Sequence, residues 1–237
     1  MMGGARRIGV AFLAGLITVA CGSPPSATSA NPQLRLSQTA AAMAAVRSMH
    51  AQVHFGSGIS IAGFTLLSAS ADLLKPSASE TDFQARQGEF LVDLTVISVG
   101  GVTYIRLPFS NFTSLTPSQA AEIPSLQRLL SASQGLPSIL AHPSASSWVG
   151  SQPMAGVTCD TIRATYSIQQ ATALIGSSAI KIRSPIKTTI WSGHQDHLIR
   201  RMTIAGQFLA GGRTEQIRID LSAYEKPVTI ASPSRTA

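Results

Sequence analysis

Gly100-Gly101 lies between two runs of alternating apolar and polar residues, and no other feature constrains the fold as tightly. A two-residue turn of the primed type needs positive φ at its centre, which glycine adopts without steric cost. Pairing Val99 with Val102 then sets Val96 opposite Ile105 and Leu94 opposite Leu107. Phe90, Val92, Leu94, Val96, Ile105 and Leu107 share one face, and Glu89, Asp93, Tyr104 and Arg106 take the other. The polarity of each strand supports this register independently. One face of the sheet is built to stay dry.

The same alternation recurs along the chain. Ala51, Val53 and Phe55 alternate with Gln52 and His54, and strand-like runs follow near residues 64–75 and 80–87. Later runs at 157–166, 186–191, 198–208 and 214–221 put Met202, Ile204 and Phe208 on one face, and likewise Ile217, Ile219 and Leu221. Helical spacing appears first at Leu36, Ala40, Met43 and Val46, with Ser37 as the expected N-cap. Residues 108–143 break the strand pattern. There Thr116-Pro117, Pro124, Gly135 and Pro137 punctuate short apolar groups: Leu126, Leu129 and Leu130, then Ile139 and Leu140. Ser167 is expected to cap a further helix carrying Ile168, Ala171, Leu174 and Ile175. The predicted order is helix, about five strands, a helical insertion, strand, short helix, about three strands. Hairpin-linked strands with helices gathered on one face make an α+β fold.

Composition narrows the class. The 237 residues are 44% hydrophobic, 12% charged and 5% aromatic, which excludes full disorder, and no apolar run reaches the ~18 residues of a membrane span. At the N-terminus, Arg6-Arg7 precede the apolar run Ile8–Ala20. At ~1.5 Å per residue that run covers only about 20 Å of a ~30 Å hydrocarbon core, the length of a secretion-signal h-region. Thr18-Val19-Ala20-Cys21 then resembles a bacterial lipobox, in which the cysteine is acylated and becomes the new N-terminus. Residues 1–20 are therefore read as signal, 21–33 as a lipidated start and flexible tether rich in Ser, Pro, Ala and Thr, and 34–237 as one domain. With Cys21 acylated, Cys159 has no intramolecular disulfide partner.

Chemistry-bearing patterns are sparse. His194-Gln195-Asp196-His197 is a compact polar group between two strands and reads as a hairpin loop, short of the convergent ligands a metal needs. Neither HExxH, GxSxG nor a CxxC pair occurs, and no cofactor is implied. The net charge of +7 is scattered without interleaved aromatic platforms, so nucleic acid is not the expected partner. Lys181, Arg183 and Lys187 are better suited to anionic headgroups.

A set of short motifs resembles the LppX/LprA/LprF/LprG family of envelope lipoproteins. They are the lipobox and tether, Ser48-Met49-His50, Val99-Gly100-Gly101-Val102-Thr103-Tyr104 and Gly135-Leu136-Pro137-Ser138-Ile139-Leu140, in that order. Lys187-Thr188-Thr189-Ile190-Trp191, His197-Leu198-Ile199 and Tyr224-Glu225-Lys226-Pro227 complete the series over about Leu34–Pro233. The resemblance implies a strongly curved antiparallel sheet, a half-barrel like that of the LolA-type carriers, covered on its concave face by short helices around an apolar cavity. It also implies a non-enzymatic protein anchored on the extracytoplasmic face of the cell membrane. Such a protein takes up acyl chains of lipids or glycolipids, supplied in some cases by an inner-membrane transporter, and carries them outward. The expected cavity wall is Val53, Phe55, Phe90, Val92, Leu94 and Val96, with Ile105, Leu107, Met202 and Ile204. The expected cover is Leu126, Leu129, Leu136, Ile139 and Leu140. The alternative is a structural or interaction lipoprotein, a transporter adaptor or host-receptor agonist, with a filled core.

Overall fold

The computed structural model describes residues 31–208 and 213–233 apart from 62 and 77; the expected signal, Cys21 and nearly all of the expected tether lie outside the described residues. The first half of the chain is a meander of β1 (Ser48–Ile61), β2 (Phe64–Leu74), β3 (Ala78–Gln87), β4 (Phe90–Val99), β5 (Val102–Arg106) and β6 (Thr113–Ser114). The second is a meander of β7 (Ala145–Met154), β8 (Val157–Tyr166), β9 (Ile186–Gly193), β10 (Ile199–Gly206) and β11 (Glu215–Ser222). The two halves join where β1 pairs with β11, giving one antiparallel, curved, open sheet in the order β6-β5-β4-β3-β2-β1-β11-β10-β9-β8-β7.

The strand order dictates the rest. β6 and β7 follow each other in sequence but form opposite edges. Ten inter-strand gaps of ~4.8 Å put those edges roughly 48 Å apart along the sheet, so the intervening chain must cross its full width. It crosses over the apolar face, as α2 (Pro117–Ala120), a 3-10 turn Leu126–Leu130 and α3 (Leu136–Leu140). Leu126, Leu129, Leu130, Leu136, Ile139 and Leu140 join the same buried cluster as the inward strand residues. Beside them pack α1 (Pro32–Ala45), through Leu36, Ala40 and Met43, and α4 (Ile168–Ile175), through Ala171 and Leu174.

Register keeps that face apolar across the sheet. Val53 lies between Ala69 and Ile219, Met202 between Ile190 and Ile219, and Val96 between Thr81 and Ile105. The hairpin register around Gly100-Gly101 is as expected, Val99 facing Val102. Ser167 caps α4 as expected and Thr116 caps α2, each closed into a capping box by a glutamine three residues on.

Three expectations are corrected. The first helix starts at Pro32, inside the segment expected as tether, because Asn31 caps it by accepting from the amides of Gln33 and Leu34 at 3.0 and 3.2 Å. Ser37 is no cap; its hydroxyl donates to the Gln33 carbonyl one turn back. The second half of the sheet has a strand more than expected, β7, whose Gly150 and Pro153 read as loop signals. As the edge strand it tolerates both, since one row of its backbone groups has no ladder to maintain.

The C-terminal motif fastens the chain's end to the start of β1. Glu225 accepts from the Arg47 amide at 2.6 Å and from its guanidinium at 3.0 Å, and the Glu225 amide donates to the Ser48 carbonyl. These bonds hold the Glu225 carboxyl below the usual carboxylate range.

Candidate functional site

Inward side chains of the central strands and of the crossing segment leave space in three places. Between β1, β10 and β11 on one side and the 3-10 turn and α4 on the other is a cleft of about 40 Å³, lined by Val53, Phe55, Ile59, Leu126, Leu129, Leu174, Ile204, Ile217 and Ile219 among others. A second cleft, of about 100 Å³, is lined by Ile61, Phe64, Leu66, Phe83, Leu94, Ile105, Leu107 and Ile123. The third space is an open groove of about 760 Å³, where the crossing segment passes over β3, β4 and β5 near the Gly100-Gly101 turn. Pro124 lines all three. Pro124 thus borders the groove and both dry clefts.

Their chemistry differs along the sheet. The clefts are walled by aliphatic chains and the rings of Phe55, Phe64 and Phe83. In the groove the inward face changes to hydroxyls, with Ser79, Thr81, Ser98 and Thr103 beside Val96 and Leu126. Its charged lining residues, among those described, are Lys75 and Arg128. Lys75 donates to the Ala44 carbonyl at the end of α1, and Arg128 to Gln134. The aliphatic part of Arg128 lies over Gly176, where a Cβ would meet its Cδ at 2.2 Å.

The expected lining residues separate into groups. Val53, Phe55, Leu126, Leu129 and Ile204 line the first cleft, and Leu94, Ile105 and Leu107 the second. Val96 forms part of the groove floor. Leu136, Ile139, Leu140 and Met202 are buried in the common core and line none of these three spaces. Val92 packs on the edge of the core, whereas Phe90 is 76% exposed at the start of β4. Cys21 lies outside the described residues. Pro124 was legible only as a helix breaker, because its place depends on how the whole crossing segment traverses the sheet.

The histidine loop has a structural use. His194 Nδ1 lies 2.9 Å from Oδ1 of Asp160, which also accepts from the Ser151 hydroxyl at 2.9 Å. Asp196 pairs with Arg200 and accepts from the Leu198 amide at 3.1 Å. Cys159 beneath this loop is fully buried, and burial pushes its thiol pKa up, partly offset by Arg200. A buried neutral thiol is a packing group. Tyr166 is likewise buried, with its phenol pKa raised by desolvation.

Comparison with known proteins agrees with this architecture. The family model described as LppX_LprAFG lipoprotein matches residues 31–230. Crystal structures of LprF from Mycobacterium bovis and of the lipoprotein LppX from Mycobacterium tuberculosis have similar folds. The first has a TM-score of 0.68 at 16% identity over 86% of this chain and 97% of that one. The second has a TM-score of 0.60 at 18% identity over 84% and 97%. Comparison with curated proteins found no match.

Proposed function

Since the chain belongs to the LppX_LprAFG lipoprotein family, we propose that it is an envelope lipoprotein, anchored through Cys21 after removal of residues 1–20, that carries lipid within its domain. The hydrocarbon chains of the cargo occupy the space between the sheet's apolar face and the crossing segment, and the protein moves them outward from the inner membrane without chemical change. Long-chain lipids or glycolipids are the cargo class, with a membrane transporter as supplier. The observation that carries this reading is the arrangement around Pro124, which borders an open groove and two clefts walled by aliphatic and aromatic side chains. Burying hydrocarbon there gains ~0.8 kcal/mol per methylene and asks for no specific chemistry.

The clefts as they stand are narrower than the ~300–1,000 Å³ of ordinary ligand pockets. Carriage therefore requires the crossing segment to lift from β2 and β3. Its build suits that motion. A four-residue helix, a five-residue 3-10 turn and a five-residue helix contain few internal hydrogen bonds, so each moves without unwinding a long helix. The same tightness favours one second reading, an interaction lipoprotein whose core is simply filled.

One comparison separates them. Full-length chain purified from its native envelope is examined by native mass spectrometry beside Val96→Trp. Carriage predicts bound lipid at near one per chain in the parent and at least tenfold less in the variant, whose indole fills the groove floor. The filled-core reading predicts no lipid in either. Val96 borders the groove but is itself buried, so circular dichroism checks that the variant keeps its fold before its lipid content is compared.

A further inference from the structure

Among the described residues, four of the eight large apolar side chains that the fold leaves exposed lie at one end of the sheet, the others being Leu34, Val102, Val149 and Ile168 elsewhere. Phe90 and Leu91 open β4, and Leu107 and Phe109 follow the end of β5, at the same end where β1 finishes at Ile61 and β2 begins at Phe64. Phe90, Leu91 and Phe109 are 76%, 62% and 110% exposed. Single exposed apolar residues are ordinary, but a group of large ones at a tip marks an interaction site.

Phe109 is held there by construction. Its φ of 60° is a left-handed conformation that a residue with a bulky side chain seldom adopts. Ser110 fixes it, accepting from the Leu107 amide at 3.0 Å and donating to the Leu107 carbonyl at 2.9 Å through its hydroxyl, while its amide donates to the same carbonyl at 3.1 Å. Leu107 connects tip and interior. It is 40% exposed on one side and lines the second apolar cleft on the other.

We propose that this tip is the membrane-docking element, and that Phe90, Leu91, Leu107 and Phe109 enter the hydrocarbon of a bilayer so that the second cleft opens directly onto it. The idea rests on the carrier reading above. The surrounding charges favour hydrocarbon over an anionic surface as the occupant. Within β3, β4 and β5 at this end, Arg86 and Arg106 are matched in number by Glu89 and Asp93, so that stretch carries no net charge. Arg106 is already engaged, donating to Thr95 at 3.1 Å and lying 4.8 Å over the Phe112 ring. The geometry also preserves the orientation of the cargo. With the tip in the bilayer, the dry clefts face the membrane and the hydroxyl-lined groove lies toward the opposite end of the sheet. A lipid drawn upward keeps its chains toward the bilayer and its polar end toward the groove.

Phe109→Trp reports on this directly. The full-length chain, purified in detergent with whatever anchor the cell attaches, is reconstituted into phosphatidylcholine vesicles with or without brominated acyl chains. The parent, with Trp148 and Trp191, supplies the reference spectrum. The introduced indole is expected to emit to the blue of its position in detergent-free buffer and to lose at least half its intensity to brominated chains. Both effects should be unchanged between about 0.05 and about 0.5 M sodium chloride, since screening acts on charge and not on apolar insertion. In the parent chain, Phe90→Ser combined with Phe109→Ser should slow lipid transfer to acceptor vesicles at least fivefold and leave the melting temperature unchanged. An indole that stays red-emitting and unquenched in a chain that still carries lipid overturns the docking surface and leaves carriage standing, with a protein partner as the occupant to test next. Quenching in a chain that carries no lipid supports the docking surface and overturns carriage.

Discussion

Asp160 has no solvent exposure, yet it sits on the inward face of β8 where its neighbours are Ile162 and Ser192. Three groups make that tolerable: Ser151 and the His194 ring at Oδ1, and the Arg35 guanidinium 3.4 Å from Oδ2. A carboxylate in such a place is stabilised only while its partners remain, and the partners depend on it equally. Arg35 belongs to α1, so the interaction fastens the helix to the sheet. Asp160→Ala leaves the Ser151 hydroxyl, the His194 ring and the partly exposed Arg35 guanidinium without their shared partner and is expected to cost about 2 kcal/mol. Urea unfolding should show a lower midpoint at unchanged slope; an unchanged midpoint would mean that α1 is held by Leu36, Ala40 and Met43 alone. None of this was legible in the sequence. His194 and Asp196 stood out there as neighbours, whereas Asp160 acquires its role from a residue 125 positions earlier, and periodicity reports on faces, not on what packs across them.

Among the elements, the crossing segment is where local sequence and tertiary demand meet most closely. Gly135 shows why. Its φ of −96° suits any residue, but a Cβ there would lie 2.1 Å from the Arg128 carbonyl oxygen and 2.6 Å from that of Ser131. Glycine is required by close approach of backbone, at the point where the 3-10 turn folds back into α3. Gly135→Ala must push the two pieces apart and is expected to cost about 2 kcal/mol by overpacking. Lipid affinity should fall at the same time, because Leu126 and Leu129 of the displaced turn line a cleft; calorimetric unfolding and a fluorescent-lipid titration would read the two effects. The sequence pointed to a break at Gly135 but not to its cause. By contrast the β4–β5 register next to the turn was readable, since turn chemistry and alternation within 20 residues determine it. At the open end Phe90 and Leu107, expected on the dry face, are 76% and 40% exposed because β5 stops at Arg106. β7 was missed for the converse reason: edge strands are allowed the Gly and Pro that mark loops elsewhere.

At the scale of the whole molecule, the fold is two meanders held together by one central ladder and one crossing. The ladder pairs residues as far apart as His50 and Ser222, and the C-terminal latch of Glu225 on Arg47 fastens its end. Among the described residues neither outer edge is paired to another strand, so the sheet remains open, and the crossing segment spans its apolar face from edge to edge. Stability is accordingly uneven. The centre, where β1 lies between β2 and β11, has ladders on both sides, whereas the crossing contributes short helices with few backbone bonds of their own. A lipid lodged beneath that cover binds the folded state only, and at a hundredfold excess over its dissociation constant adds about 2.7 kcal/mol. For a domain of this size that amounts to a rise in melting temperature of roughly 5–10 °C. Hydrogen exchange locates the gain. Amides of the 3-10 turn and α3 should exchange before those of β1 and β11 in delipidated chain, and should slow most when lipid is restored. Uniform slowing across the sheet, or protection confined to the convex side, would mean that the ligand sits elsewhere than under the crossing. A carrier needs its cover to be the least stable part of the fold, and the strand order, by sending the chain across the sheet in short proline-broken pieces, builds that weakness in.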